Sequence, residues 1–119
     1  MFYFFSNCEK EKVDYREKYI GKWFFKVNRI EFNTDSLGFH KNDSVEFVGQ
    51  IELASNTNEI RIKYTQNDEI TARIDEKGYF VFPPPFSSGN FEGTSKLSIF
   101  LKWGGQGGGG THIINGVKQ

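Results

Sequence analysis

From Tyr19 onward, apolar and polar residues alternate with a period of two, the pattern of strands with one buried face. Trp23, Phe25 and Val27 share one face of a first strand. Ile30 and Phe32 sit in the opposite phase, which predicts a bulge or turn near Asn28. Asp35 to Asp43 reads as a polar loop, after which Val45, Phe47, Gly49, Ile51 and Leu53 alternate cleanly with Glu46, Val48, Gln50 and Glu52. Ile60, Ile62 and Tyr64, then Ile70, Ala72 and Ile74, give the next inward rows, separated by polar turn clusters. Tyr79 to Phe82 is a short strand, apolar on both faces and stopped by Pro83, Pro84 and Pro85, which donate no hydrogen bonds. Phe86 to Gly93 reads as a loop. Leu97, Ile99, Leu101 and Trp103 mark a long strand, Gly104 to Gly110 a flexible hairpin loop, and Thr111 to Lys118 the last strand. No stretch carries an amphipathic helix of useful length.

This pattern predicts an all-β domain: an antiparallel up-and-down meander of about seven or eight strands, rolled into a small barrel or half-barrel. Composition adds three constraints. A chain of 119 residues suits one core, and a 17% share of aromatics lets a small interior remove much area from water. Fifteen Lys+Arg balance fifteen Asp+Glu, leaving no field to attract nucleic acid. A single cysteine excludes an internal disulfide and a cysteine-rich zinc site.

That cysteine, Cys8, follows the apolar stub Phe2-Tyr3-Phe4-Phe5-Ser6-Asn7 and precedes the charged run Glu9-Lys10-Glu11-Lys12. The junction resembles that of a bacterial lipoprotein, although Asn7 stands where Gly or Ala is usual. The resemblance implies a lipid on Cys8, anchorage to the membrane of the bacterial cell envelope (outer membrane or periplasmic face), and a soluble protein if Cys8 is not lipidated. A leader needs more apolar residues than precede Cys8, so the expectation includes a start upstream of Met1. The predicted layout is a truncated signal and anchor junction over 1–8, a charged tether over 9–18, and the barrel over 19–119.

Tyr19-Ile20-Gly21-Lys22-Trp23 resembles the Gly-x-Trp signature of the first strand of lipocalins and fatty-acid-binding proteins. The resemblance implies structural roles: Gly21 lets the chain bend into a barrel and Trp23 plugs its closed end. The ligand chemistry of those families is not implied, because the last arginine is Arg73 and no late Arg-x-Tyr clamp exists. The wider arrangement, from the charged run after Cys8 through Asn90-Phe91-Glu92-Gly93-Thr94 to Ile114-Asn115-Gly116-Val117-Lys118, is similar to small lipocalin-like lipoproteins of the bacterial cell envelope.

Catalytic chemistry finds few footholds. The run from Gly105 to Gly110 contains Gly-x-Gly-x-x-Gly, but a strand follows it rather than the helix a pyrophosphate needs. His40 and His112 read as surface histidines with no third ligand in reach, and the pairs Asp68/Glu69 and Asp75/Glu76 as solvated turn charges. We therefore expect no catalytic residue, metal or cofactor. Phe80, Phe82, Phe86 and Phe91 around the triple proline form the candidate binding rim. The expected function is non-catalytic: an anchored barrel that binds an apolar small molecule or an envelope protein. The alternatives are an assembly protein pairing through exposed edges and an inhibitor inserting its glycine-rich loop into an enzyme.

Overall fold

A computed structural model describes residues 14–33, 39–82, 87–105 and 108–119, with the side chains of 32, 33, 39–41 and 105 left aside. Eight strands form one antiparallel sheet: β1 (Gly21–Asn33), β2 (Phe39–Leu53), β3 (Glu59–Lys63), β4 (Glu69–Ile74), β5 (Phe80–Val81), β6 (Ser88–Glu92), β7 (Lys96–Gly105) and β8 (Gly108–Lys118). Their order is β5-β4-β3-β2-β1-β8-β7-β6, so every strand lies beside its sequence neighbour and the first pairs with the last. The two ends of the sheet, β5 and β6, meet through a Tyr79–Asn90 bridge, beside which Phe91 N–H donates to Gly78 O at 2.8 Å. The result is a nearly closed up-and-down barrel.

The alternating rows find the faces their hydrophobicity demands. Trp23, Phe25 and Val27 of β1, Ile51 of β2, Ile60 and Ile62 of β3, Ala72 and Ile74 of β4, Leu97 and Ile99 of β7 and Ile114 of β8 are all buried inside. Side chains so fully covered border no void that could hold a water, so this end of the barrel is packed solid. A single 3-10 turn over Glu17–Tyr19 lies at this end. Tyr19 stacks on Phe91 with ring centroids 3.7 Å apart, and the Trp23 Nε1–H donates to the Tyr19 carbonyl at 2.7 Å. Gly21 has φ +139°, a conformation side-chain-bearing residues rarely adopt, at the point where the chain enters β1. A Cβ on Gly49 would lie 1.9 Å from the Lys63 carbonyl oxygen, so glycine is what lets β2 pass against the end of β3.

Several expectations change. No bulge interrupts β1, which keeps one register with β2 and with β8 through Asn28; the inner face simply turns polar beyond Val27, and Ile30 points outward. The polar stretch ending at Asp43 is strand from Phe39 onward, and the stretch ending at Gly93 contains β6, a strand with few apolar residues. Within the expected glycine loop, Gly104 pairs with Gly109 and Gly105 with Gly108, so 104–105 and 108–110 are strand. The described part of the charged segment, residues 14–18, lies against the barrel. Arg16 is buried, its Nη1 donating to Asn56 O at 2.8 Å and Glu59 O at 2.6 Å, and Tyr15 donates its hydroxyl to Ile74 O at 2.7 Å. Cys8, the anchor junction and Phe86 lie outside the described residues.

Candidate functional site at the barrel mouth

Strands β1, β2, β7 and β8 run past the end of the β2–β3 pairing at Gln50–Lys63 and carry the inner face upward as a four-stranded wall. In the phase set by Trp23, Phe25 and Val27, the next inward positions of β1 are Arg29 and Glu31. Opposite them come Asp43 of β2 and His112 of β8. The apolar lining thus gives way to a belt of charge at the mouth.

Two networks make up this belt. Arg29 forms a two-pronged ion pair with Asp43 (Nε–Oδ1 2.9 Å, Nη2–Oδ2 2.8 Å) and reaches Asp68 Oδ2 in the β3–β4 turn at 3.4 Å. The Asp43 hydrogen bonds hold the guanidinium above its already high ordinary pKa, so the cation is permanent. Asp68 also accepts from the Thr65 hydroxyl at 2.6 Å, which fixes the turn over the mouth. In the second network the Tyr64 hydroxyl lies 2.8 Å from His112 Nδ1, and His112 Nε2 lies 2.8 Å from Glu31 Oε2. A carboxylate only accepts, so Nε2–H donates to Glu31, and in the tautomer that leaves Nδ1 bare the Tyr64 hydroxyl donates a hydrogen bond to it. Burial, with a smaller push from the Asp68 carboxylate, raises the Tyr64 pKa and keeps the phenol protonated. The chain of contacts orients each of its members and satisfies their polar atoms.

His112, expected on the surface, is only 3% exposed. Trp103 lies beside it, edge-on at a centroid distance of 4.8 Å and 89°, and is 45% exposed. Gly110 makes room for this indole, since a Cβ there would lie 2.7 Å from Trp103 Cζ2. Phe47, Val45 and Ile70 are half-buried below the mouth. Among the described residues no three His, Cys, Asp or Glu side chains gather as a metal site, and no helix is long and apolar enough to cross a membrane.

The rim phenylalanines take other places. Phe80 and Phe91 point inward, 8% and 5% exposed, with centroids 5.4 Å apart, and Phe82 packs on Phe80 at 5.7 Å. They belong to the core or lie against it, and the residues this strand exposes are Tyr79 and Val81. Gly21 and Trp23 sit at the closed end, as described above. His40 pairs in register with Phe32 near the far end of β2. Arg29 and Glu31 are absent from the sequence-based candidates, although the unbroken phase of β1 was the signal for them; Tyr64 and Trp103 read only as inward strand positions and His112 only as a surface histidine.

The Tyr64–His112 contact gives a direct test. Tyr64→Phe removes the hydroxyl that contacts a buried ring nitrogen and is expected to lower stability by about 1–3 kcal/mol. A loss below about 0.5 kcal/mol in urea denaturation would show that the contact contributes little.

No family model, curated protein or solved structure matches this chain.

Proposed function

We propose that this protein is a non-catalytic binding domain that takes a partly apolar small molecule at the open mouth of its barrel. The observation that carries this is the half-exposed Trp103 on the inner face, packed edge-on against buried His112 above an interior already full of side chains. A site of this kind, apolar with a few fixed polar groups, is what small-molecule recognition uses. Arg29 has two carboxylates on it, and His112 is satisfied on both nitrogens. Both groups are thus held in fixed positions by neighbouring side chains, as the orienting polar groups of a binding site are. Lipid on Cys8 would hold the domain at the envelope membrane.

The test uses tryptophan emission. Titration with an apolar fluorescent probe such as anilinonaphthalene sulfonate is expected to shift the emission of the native protein, and Trp103→Phe is expected to abolish that shift while Trp23 still reports a folded core. An unchanged shift in Trp103→Phe overturns the mouth as the site. Anchorage is separate: Cys8→Ser, in a gene with its upstream codons included, is expected to release the protein from the membrane fraction.

A second reading has one observation in its favour. From Phe39 to Gly49, β2 pairs with β1 on one side and with no described strand on the other. Such an edge can accept a strand from a partner. Concentration-dependent dimerisation in sedimentation would favour an assembly role.

A further inference from the structure

On the outer surface, away from the mouth, an open groove of about 390 Å³ crosses β6, β7 and β8. The register explains its shape. One row across the sheet is Tyr79, Asn90, Ser98 and Asn115; the next is Ser88, Phe100 and Ile113. Serines and asparagines are short, so they form the floor, while Tyr79 (54% exposed) and Phe100 (38% exposed) stand up as walls. Ser98 donates to Asn115 Oδ1 at 3.3 Å, and Asn90 Nδ2 donates to Phe91 O at 3.2 Å. Asn115 Nδ2, Asn90 Oδ1 and the Ser88 hydroxyl then have no bond to another described residue, so donors and an acceptor face the groove.

We propose that this groove binds an uncharged saccharide. The lining holds no carboxylate, ammonium or guanidinium, so it offers nothing to neutralise a charged ligand. A purely apolar ligand would strip water from the amides and hydroxyls without replacing their hydrogen bonds. An extended peptide would add to a strand edge; β7 is paired on both sides, and the outer edge of β6 at the groove is already engaged by the Tyr79–Asn90 bridge and the Phe91–Gly78 hydrogen bond. A pyranose ring meets all three conditions. Its C–H face packs on an aromatic wall, its hydroxyls exchange hydrogen bonds with amides and serines, and it carries no charge. The volume falls in the range of small-ligand sites, roughly 300–1,000 Å³.

The experiment follows backbone amide chemical shifts of the whole chain during titration with cellobiose, lactose and chitobiose. At least one is expected to shift Gly89, Asn90, Ser98 and Asn115 saturably, leaving Trp103 and His112 unmoved. Tyr79→Ala and Phe100→Ala, both at exposed positions, are each expected to weaken that binding by about three- to tenfold while the spectrum stays folded. The corresponding hexasaccharide separates two sources: equal affinity marks a free sugar or chain end, tighter binding a glycan chain. No saturable shift with any disaccharide, or shifts confined to the mouth, overturns the proposal. Unaltered binding in both alanine variants overturns it as well.

Discussion

Trp23→Ala is expected to cost about 3–5 kcal/mol of folding stability, much of what a domain of this size holds. The indole is fully buried among Tyr19, Phe25 and Phe91, and its Nε1–H satisfies the Tyr19 carbonyl. Alanine leaves a large cavity and an unpaired carbonyl at the one end of the barrel that is packed solid. Surrounding rings cannot collapse into the space, because Tyr19 and Phe91 are already stacked on each other. Trp23→Phe keeps most of the volume and should lose less. Urea denaturation of the three proteins checks this; a Trp23→Ala loss under about 1.5 kcal/mol would mean that the closed end carries little of the stability.

Arg16→Ala is expected to cost about 2–4 kcal/mol, because it leaves the Asn56 and Glu59 carbonyls without their charged donor and Asp14 without its partner. The guanidinium spans Asp14 and the Asn56 and Glu59 carbonyls, and so ties the chain ahead of the barrel to the β2–β3 turn. Lysine lacks the planar fork that serves all these acceptors, so Arg16→Lys should recover only part of the loss. The same cluster sets a pH dependence. The side-chain hydrogen bonds from Arg16 hold Asp14 below its ordinary pKa. A carboxylate with a depressed folded-state pKa contributes stability above its unfolded value, near pH 4, and that contribution is lost as pH falls below it. Wild type should therefore lose stability from pH 5 to pH 3 more steeply than Arg16→Ala. Parallel curves would remove Asp14 from the account.

The strands were legible because burial on one face writes itself as alternation. Ile60, Ile62, Ala72, Ile74, Leu97 and Ile99 all point where their phase placed them. What misled was reading phase from apolar residues alone. Beyond Val27 the inner face holds Arg29 and Glu31, while Ile30 lies outside at 44% exposure, so a straight strand looked bent. The charge belt was not legible because Asp43, the Tyr64–Asp68 turn and His112 come from three separate parts of the sequence, and only closure of the sheet brings them together. Strand β6 was missed because Ser-Gly-Asn borrows its structure from β7. Arg16 looked solvated because its partners are backbone carbonyls some forty residues away.

The two places where the ring is joined are unequal. β1 and β8 share a continuous ladder from Trp23–Lys118 to Phe32–Gly109, while β5 and β6 share one bridge. Chain ends usually fray first. Here the described ends are zipped into the firmest part of the sheet, and the middle of the chain forms the weakest joint. Brief excursions from the native state should therefore begin as a split between Tyr79 and Asn90, with each half of the barrel swinging on an intact β2-β1-β8-β7 spine.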